Sequence, residues 1–402
     1  MRVGFPPAYN MLTECPRNVQ LTLTLNKTSK SPECSLIVEK ITSILPSRRP
    51  IEHHEPFLRH EYVDLKSQFG GNYVARFRDF LHDHFGVCGC VVTNSGTSAL
   101  TVALKACGVR EGDEVLVPSA TFVATANAVS HIGAIPVFID GVTLTPDNIK
   151  AWLETKTRPY YSSTRRFPGR FNPWSGATVA AVVPVHLFGH PCDMDGITKV
   201  AKEYGLAVVE DACQGFGSSI DLKPVGTFGD MGCFSFNRNK IITTDGGGCI
   251  VSNDPWLISV ADGLATTARE THPWHISHYD IGWNFRMGQV NAALGCTQIE
   301  GFHDTTLPFK RTLATKYRIA LRDIVEFYEP ERGESNYWLN VILTDNRDEL
   351  LEVLYKQGIH ARASFTPIHQ LKPYINHQRS SETMPESEEF FRRAVCLPSG
   401  NL

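Results

Sequence analysis

The chain has 402 residues, which at about 150 residues per domain predicts two to three domains with a sizeable buried core. Its 39 basic and 42 acidic residues leave a net charge of −3, so no surface for nucleic acid is indicated. Its apolar runs are shorter than the roughly 18 residues of a membrane span, and residues 1–30 lack the apolar block of a signal peptide. The eleven cysteines form no ligand pattern. They favour packed thiols in a reducing cytoplasm over a metal site.

The pattern of apolar residues divides the chain into segments. Residues 1–50 are irregular apart from one amphipathic helix candidate at 36–45, and we interpret them as an N-terminal extension. From about residue 84 to 260, Val- and Ile-rich runs alternate with helical patterns, which is typical of a buried and mainly parallel sheet. The predicted strands are 114–117, 135–139, 179–185, 206–210 and 248–252, and the predicted helices between them are 99–107, 125–131 and 194–204.

Beyond about residue 291 the pattern changes to longer helices with fewer strands. The predicted helices are 292–302, 309–321 and 348–357. This change indicates a second, smaller α+β domain. We therefore predict a large domain at 51–295 and a small domain at 296–402.

The segment TNSGTSAL at 93–100 follows an apolar strand and opens a helix. Its small residues place backbone N–H groups and hydroxyls at the positive end of that helix, which favours binding of an anion such as phosphate. An ordinary Ser/Thr helix cap is the alternative interpretation.

Two further residues could carry chemistry. Asp211 ends an apolar strand, and the carboxyl ends of parallel strands are where α/β folds bind ligands; a helix cap is the alternative. Lys240 lies between an apolar strand and three glycines, and a partly desolvated lysine becomes a Schiff-base nucleophile. A surface loop lysine is the alternative there.

The order of these parts is the stronger signal, because Lys240 follows Asp211 by 29 residues and Ser235 precedes it. Pyridoxal phosphate needs a lysine for its aldehyde, a carboxylate for its ring nitrogen and a cradle for its phosphate. At this point the sequence resembles the DegT/DnrJ/EryC1/StrS sugar aminotransferases over about residues 50–400. The resemblance rests on six motifs in order, at 93–100, 121–127, 185–189, 210–214, 234–240 and 284–287.

The resemblance implies an α/β fold, namely fold type I of the pyridoxal phosphate-dependent transferases. This fold has a large domain with a mostly parallel, seven-stranded-type sheet and a small C-terminal α+β domain. It also implies roles for individual residues. Lys240 would bind the cofactor and move the substrate proton, Asp211 would hold the ring proton, and Gln214 would lie beside the ring hydroxyl. Phe122 would stack on the ring, with a plain core position as its alternative. The phosphate would be held by Gly96, Thr97, Ser98 and Ser235.

Three more residues are assigned by the same resemblance. Asn284 matches the residue that reaches the phosphate from the neighbouring subunit, which implies a homodimer with a shared site. His369 matches a region that lines the sugar nucleotide in relatives, with a solvated loop histidine as the alternative. His186 is a substrate-binding candidate at a strand end, although a structural histidine is favoured there.

The activity implied is transfer of an amino group from an amino acid, usually glutamate in the family, to a nucleotide-linked 4-keto-6-deoxy sugar. The motifs look most like those of transaminases for UDP-linked N-acetylated hexoses, as in the legionaminic acid pathway. A degenerate, non-catalytic family member and a sugar dehydratase are the rival interpretations, and Lys240 argues against the dehydratase because those relatives carry His there. An NAD-dependent oxidoreductase ranks last, because the segment GFGSS at 215–219 does not complete a G-x-G-x-x-G pattern.

Two departures from the family pattern lead to expectations about structure. The stretch between residues 56 and 71 looks shorter than in relatives, which puts the choice of substrate in doubt. The small domain looks truncated at residue 402, where relatives continue into a closing helix. We therefore expect the N-terminal extension to cover apolar surface of the small domain.

Overall fold

The computed structural model describes residues 31–45, 72–160, 162–377, 379–381 and 383–400. The segment 56–71, expected to be shortened, lies outside these residues. The described helices are α1 (Pro32–Ile44), α2 (Tyr73–Phe85), α3 (Gly96–Ala106), α4 (Ala124–His131), α5 (Pro146–Lys156), α6 (Met194–Tyr204), α7 (Pro255–Ala265), α8 (Gln289–Ile299), α9 (Leu307–Leu321), α10 (Arg347–Lys356) and α11 (Pro385–Arg393). Within the described ranges, no helix combines the length and apolar character needed to cross a bilayer.

The larger sheet is built on seven strands. They are β1 (Gly89–Thr93), β2 (Glu114–Pro118), β3 (Ile135–Ile139), β6 (Thr178–Val182), β7 (Ala207–Asp211), β10 (Met231–Ser235) and β11 (Gly248–Ser252), with the short pair β4 (Arg158–Pro159) and β5 (Arg170–Phe171) at one side. The strand order is β1-β11-β10-β7-β6-β2-β3. β11 runs antiparallel to both of its neighbours, and the remaining neighbours in this order pair in parallel. The sheet is thus mixed and mostly parallel, as predicted.

Helices cover both faces of this sheet. Val115 and Val117 of β2 belong to an apolar cluster that includes residues of α3, α4 and α7. Leu116, between them, belongs to a separate cluster with residues of α5 and α6. Successive residues of a strand point to opposite faces, so a strand covered by helices on both sides needs apolar residues at every position. This explains why its strands appear in the sequence as unbroken Val/Ile runs.

Some predicted boundaries need correction. The strand predicted at 179–185 ends at Val182, because Pro184 has no N–H with which to extend the ladder. The helix predicted at 292–302 ends at Ile299, and a π-helical turn at Phe302–Thr306 leads into α9.

A second sheet is antiparallel and lies in the C-terminal part of the chain. It contains β12 (Glu326–Phe327), β13 (Asn340–Leu343), β14 (Arg362–Ala363) and β15 (Ala394–Leu397) in the order β12-β13-β15-β14. A hairpin of β8 (Ser219–Ile220) and β9 (Lys223–Pro224) stands apart from both sheets. The boundary of 295/296 between two domains stays a prediction.

Helix α1 packs on this second sheet and its helices. Its buried residues Cys34, Ile37, Val38 and Ile41 recur at helical spacing. They share one apolar cluster with Tyr317 of α9, Leu354 of α10 and residues of β13 and β15. The side chain of Glu33 accepts hydrogen bonds from Thr344 Oγ1 and Asn346 Nδ2, both at 3.1 Å. Helix α1 therefore covers apolar surface of the C-terminal part of the chain.

We expect Ile37→Ala to destabilise the fold by about 2–4 kcal/mol, the usual cost of truncating a fully buried aliphatic side chain. The matched control is Leu36→Ala on the same helix, because Leu36 is 41 % exposed and its truncation should cost little. Chemical denaturation of both variants measures the difference. Deletion of residues 1–45 should also lower Tm, and an unchanged Tm would count against a structural role for α1.

Candidate functional site

The carboxyl edge of the larger sheet brings the predicted site residues together. Asp211 is the last residue of β7 and pairs with Cys233 of β10. Ser235, the last residue of β10, pairs with Gly248, which in turn pairs with Thr93 at the end of β1. The ends of β1, β7 and β10 therefore meet at one edge of the sheet.

The turn from β1 into α3 forms the predicted anion cradle. Ser95 caps α3, and its Oγ accepts a hydrogen bond from Ser98 N at 3.1 Å and lies 2.9 Å from Ser98 Oγ. The N–H groups of Gly96 and Thr97 belong to the first helical turn, where no intrahelical acceptor exists. A Cβ at Gly96 would lie 2.7 Å from Cβ of Ser235. The start of α3 therefore packs closely against the end of β10, and both the N–H and the hydroxyl of Ser98 are paired with Ser95.

Asp211 is held rigidly at the end of β7. It is 4 % exposed. Its Oδ2 accepts a hydrogen bond from Thr125 Oγ1 at 2.7 Å, and its Oδ1 accepts one from Cys213 N at 3.1 Å. A carboxylate offers about four lone-pair sites, so the pair of bonds fixes its orientation and leaves capacity for a further donor.

Lys240 closes a turn that follows β10. Its N–H donates to Asn237 O at 2.9 Å, and Asn237 N donates to Ser235 Oγ at 3.3 Å. Burial lowers the pKa of the Lys240 amine, while Cys213 and Asp211 act in the opposite direction. A lowered pKa increases the fraction of neutral, nucleophilic amine at a given pH.

Gln214 and Phe122 lie in loops at the same edge. Gln214 Oε1 accepts a hydrogen bond from Phe188 N at 2.7 Å, which fixes the amide. Phe122 is 52 % exposed, so the interpretation as a plain core residue is wrong. Its ring centroid lies 5.7 Å from that of Phe365. An exposed ring on a loop that follows β2 can stack on a planar ligand.

The structure does not support a substrate-binding role for His186. It has no exposed surface. Its Nδ1 accepts a hydrogen bond from Cys192 N at 3.1 Å, and its Nε2 lies 2.9 Å from Glu210 Oε2. Both ring nitrogens are used inside the protein, so His186 is a structural histidine.

His369 is also buried, so the interpretation as a solvated loop histidine is wrong. It lies with Nδ1 2.6 Å from Ser119 Oγ and with Nε2 3.0 Å from Glu388 Oε1. It is neither a solvated loop residue nor a side chain with a free nitrogen for substrate. Through these two contacts His369 connects the loop after β2 to α11.

Asn284 lies in a segment beside the turn from β1 into α3, because Phe285 O accepts a hydrogen bond from Asn94 N at 2.8 Å and Arg286 forms a backbone bridge with Thr93. It is exposed, forms a backbone bridge with Thr266, and its Oδ1 accepts a hydrogen bond from Arg286 at 3.1 Å. This position is compatible with contact to a second subunit.

Sequence reasoning missed three residues that support the site. Thr125 binds Asp211, Trp338 lies over Lys240 with its ring centroid 4.0 Å from Nζ, and Asn336 Nδ2 donates to the carbonyl of Gln214 at 2.8 Å. Thr125 lies inside the motif at 121–127, which was a usable signal. Nothing in the sequence near Trp338 and Asn336 marks them.

The residues present fit pyridoxal phosphate. Three groups at one edge of the sheet match the three parts of that cofactor. The fixed carboxylate matches its ring nitrogen, the partly desolvated lysine matches its aldehyde, and the N-terminus of α3 at Gly96 matches its phosphate. The observation that decides the fit is the close packing of Gly96, because a Cβ there would lie 2.7 Å from Cβ of Ser235 and 2.8 Å from Sγ of Cys213 and would push the start of α3 away from β10.

Comparisons with known proteins identify similar sequences over most of the chain. The model of the DegT/DnrJ/EryC1/StrS aminotransferase family matches residues 61–402. The chain is 34 % identical over 338 residues to the GDP-perosamine synthase of Escherichia coli O157:H7, covering 82 % of this chain and 85 % of that protein. It is 33 % identical over 326 residues to the UDP-N-acetyl-3-dehydro-alpha-D-glucosamine 3-aminotransferase of Acidithiobacillus ferrooxidans, covering 78 % and 79 % respectively.

A solved structure is similar over most of the chain. Helicobacter pylori PseC, an aminotransferase involved in the biosynthesis of pseudoaminic acid, matches with a TM-score of 0.73 at 25 % identity. The match covers 87 % of this chain and 94 % of that chain.

Proposed function

Because this chain belongs to the DegT/DnrJ/EryC1/StrS aminotransferase family, we propose that it transfers the amino group of L-glutamate to a nucleotide-linked 4-keto-6-deoxy sugar. The chain is a pyridoxal phosphate-dependent sugar aminotransferase with the α/β fold of that family. The observation that carries the proposal is the meeting of the cradle at α3, Asp211 and Lys240 at one edge of the sheet.

In this proposal each residue acts through its position. Lys240 would hold the cofactor through its aldehyde, and its neutral amine would accept and return the proton of the substrate carbon. Asp211 holds the proton on the ring nitrogen. When bound, the cofactor supplies an electron sink for the charge that develops at the substrate carbon. The fixed carboxylate of Asp211 and the lowered pKa of Lys240 support these two roles.

The remaining contacts orient the cofactor. The N-terminus of α3 and Ser235 bind its phosphate, through N–H groups at the positive end of a helix dipole. Gln214 would lie beside the ring hydroxyl, and the exposed ring of Phe122 would stack on one face of the cofactor ring. Ser98 is paired with the cap through both groups, since its N–H donates to Ser95 Oγ and its Oγ lies 2.9 Å from the same atom, so Gly96 and Thr97 would supply the N–H groups for the phosphate.

The sugar is the least constrained part of the proposal. The two curated relatives described above differ, by their names, in nucleotide and in product. On the motif resemblance we assign a UDP-linked, N-acetylated 4-keto-6-deoxy hexose. The substrate is identified with a panel of UDP-, GDP- and dTDP-linked keto-sugars. Each sugar is added to protein that has first been incubated with pyridoxal phosphate and glutamate, and the amino sugar formed is measured.

The absorption spectrum of the protein with pyridoxal phosphate tests the first half of the reaction. We expect a visible band that fades when glutamate is added, with release of 2-oxoglutarate. Bound cofactor that does not respond to glutamate or glutamine would point to another donor or to a regulator. No bound cofactor would support the degenerate, non-catalytic interpretation.

A homodimer with a shared site is also part of the proposal. Just before Asn284, several large apolar side chains face solvent, among them Trp274 at 77 % and Ile281 at 81 % exposed. Apolar side chains grouped on a surface are typical of a protein interface. This surface supports a second subunit that brings Asn284 to the neighbouring cofactor.

Mixing two inactive variants tests whether Asn284 acts across the dimer. If it does, Lys240→Ala and Asn284→Asp each lose activity, and their hybrid dimer regains one intact site. Refolded together at equal amounts, they should recover about a quarter of wild-type activity, since half of the dimers are hybrids with one good site of two. No recovery in hybrids isolated by two different tags would place Asn284 in its own subunit's site.

The ten cysteines among the described residues are free thiols. Free thiols are typical of a reducing compartment. They support the cytoplasm as the proposed location.

A further inference from the structure

Trp338 contacts both the amino group of Lys240 and the backbone immediately before it. Nζ of Lys240 lies 4.0 Å from the indole centroid. The indole Nε1–H donates to the carbonyl of Asn239 at 2.7 Å. Trp338 is almost completely buried, and a cation over an indole face is attracted most strongly where water is excluded.

The turn that carries Trp338 is anchored to the site from the other side. Asn336 Nδ2 donates to Gln214 O at 2.8 Å and to Phe216 O at 2.9 Å, and Trp338 N donates to Asn336 Oδ1 at 2.7 Å. The turn also fits tightly against the motif at 185–189, because a Cβ at Gly189 would lie 1.8 Å from Asn336 Oδ1.

The backbone of this turn is strained. Tyr337 has φ of 48°, a left-handed conformation that a bulky residue rarely adopts. Strain of this kind persists only where surrounding contacts over-determine it, and it is concentrated at functional sites. Contacts on both sides hold this conformation in place. They are the hydrogen bonds of Asn336 and the bond from Lys310 Nζ to Trp338 O at 3.0 Å.

We propose that Trp338 is a positioning residue for Lys240, whose indole face holds the amino group beside the site and favours its charged form in the cofactor-free protein. This inference rests on the proposed role of Lys240. A lysine that is released and recaptured in each half of a transfer has to remain near the cofactor aldehyde. The indole face provides one defined position for the amino group, and it belongs to the same turn whose Asn336 binds the backbone of Gln214.

Other groups also act on the Lys240 amine. Asp211 and Cys213 favour the charged form, while burial opposes it. The contribution of the ring is therefore measured by replacing Trp338 alone. Trp338→Leu removes the ring and keeps an apolar side chain, and Trp338→Phe keeps a ring but removes the bond to Asn239. Trp152→Leu, which removes another buried indole in α5, is the matched control.

The test uses the cofactor-free protein, so its result does not depend on transamination. Acetic anhydride labels neutral amines, and mass spectrometry of the peptide containing Lys240 gives a labelling rate at each pH. We expect the midpoint of this profile to fall in Trp338→Leu, with labelling at neutral pH faster by about 3- to 10-fold, as the loss of a cation–π contact predicts. Trp338→Phe should stay within about twofold of wild type, and Trp152→Leu should not change.

Opposite outcomes overturn the inference. If the midpoint is unchanged or rises in Trp338→Leu, water entry or simple packing explains the contact. If the control shifts equally, the effect is a general loosening of the fold. Should Trp338→Leu fail to fold, Trp338→Met gives the same comparison. Failure of the proposed function would appear separately, as absence of the visible band in the wild-type protein with pyridoxal phosphate.

Discussion

Replacing Lys240 with alanine is expected to abolish covalent attachment of pyridoxal phosphate and to reduce turnover by about 10²–10⁴-fold from the lost proton transfer alone. Lys240 lies in the turn that follows β10 at the carboxyl edge of the sheet, and burial lowers the pKa of its amine. No other side chain on its turn can form a Schiff base with the aldehyde. Borohydride reduction followed by peptide mapping measures the attachment, and release of 2-oxoglutarate measures the first half of the reaction.

Lys202→Ala is the control for this variant, because Lys202 lies exposed on α6. It should retain the visible band and full turnover. The role of Lys240 would be refuted if Lys240→Ala retained a reducible cofactor adduct, or if its turnover stayed within tenfold of wild type.

Gly96→Ala is expected to weaken cofactor binding by about 30- to 1,000-fold. The added Cβ would lie 2.7 Å from Cβ of Ser235 and 2.8 Å from Sγ of Cys213, so the start of α3 has to move away from β10. That movement misplaces the N–H groups that would bind the phosphate, and one or two charge-assisted hydrogen bonds of about 1.5–3 kcal/mol each are lost. Titration of the cofactor-free protein with pyridoxal phosphate, followed by absorption, measures the change.

The control is Gly301→Ala. Gly301 has an ordinary φ of −102°, and a Cβ there would meet only Thr305 Oγ1, at 3.3 Å. Cofactor affinity should be unchanged in this variant. Wild-type affinity in Gly96→Ala would mean that the phosphate is held elsewhere.

The parts of the fold that depend on local pattern were predictable from the sequence. The strands at 135–139 and 248–252 and the helix at 194–204 match the structure in both bounds. A strand buried on both faces needs apolar residues throughout, and an amphipathic helix shows its period within a few turns. Errors occurred where a single residue stops an element, as Pro184 does beyond β6.

The candidate site was predictable where its residues follow strands. The ends of parallel strands share one edge, so Asp211, Ser235 and Lys240 had to lie close together once the sheet was predicted. Their individual roles stay predictions. The two histidines were harder, because a His at a strand end gives no sign of how many of its nitrogens are already bonded. His186 and His369 proved to have both nitrogens paired.

By itself the sequence determined the layered α/β fold, the family and the order of the motifs assigned to the cofactor. Each of these depends on residues that are close together in the sequence. Only the tertiary structure decided which distant side chains complete the site. Trp338 lies 98 residues beyond Lys240, and the partner of His369, Ser119, is 250 residues away. Likewise, α1 shows an apolar stripe in the sequence, but only the folded chain shows that α9 and α10 bury it. Contacts between distant segments depend on how whole elements pack, and no local pattern records them.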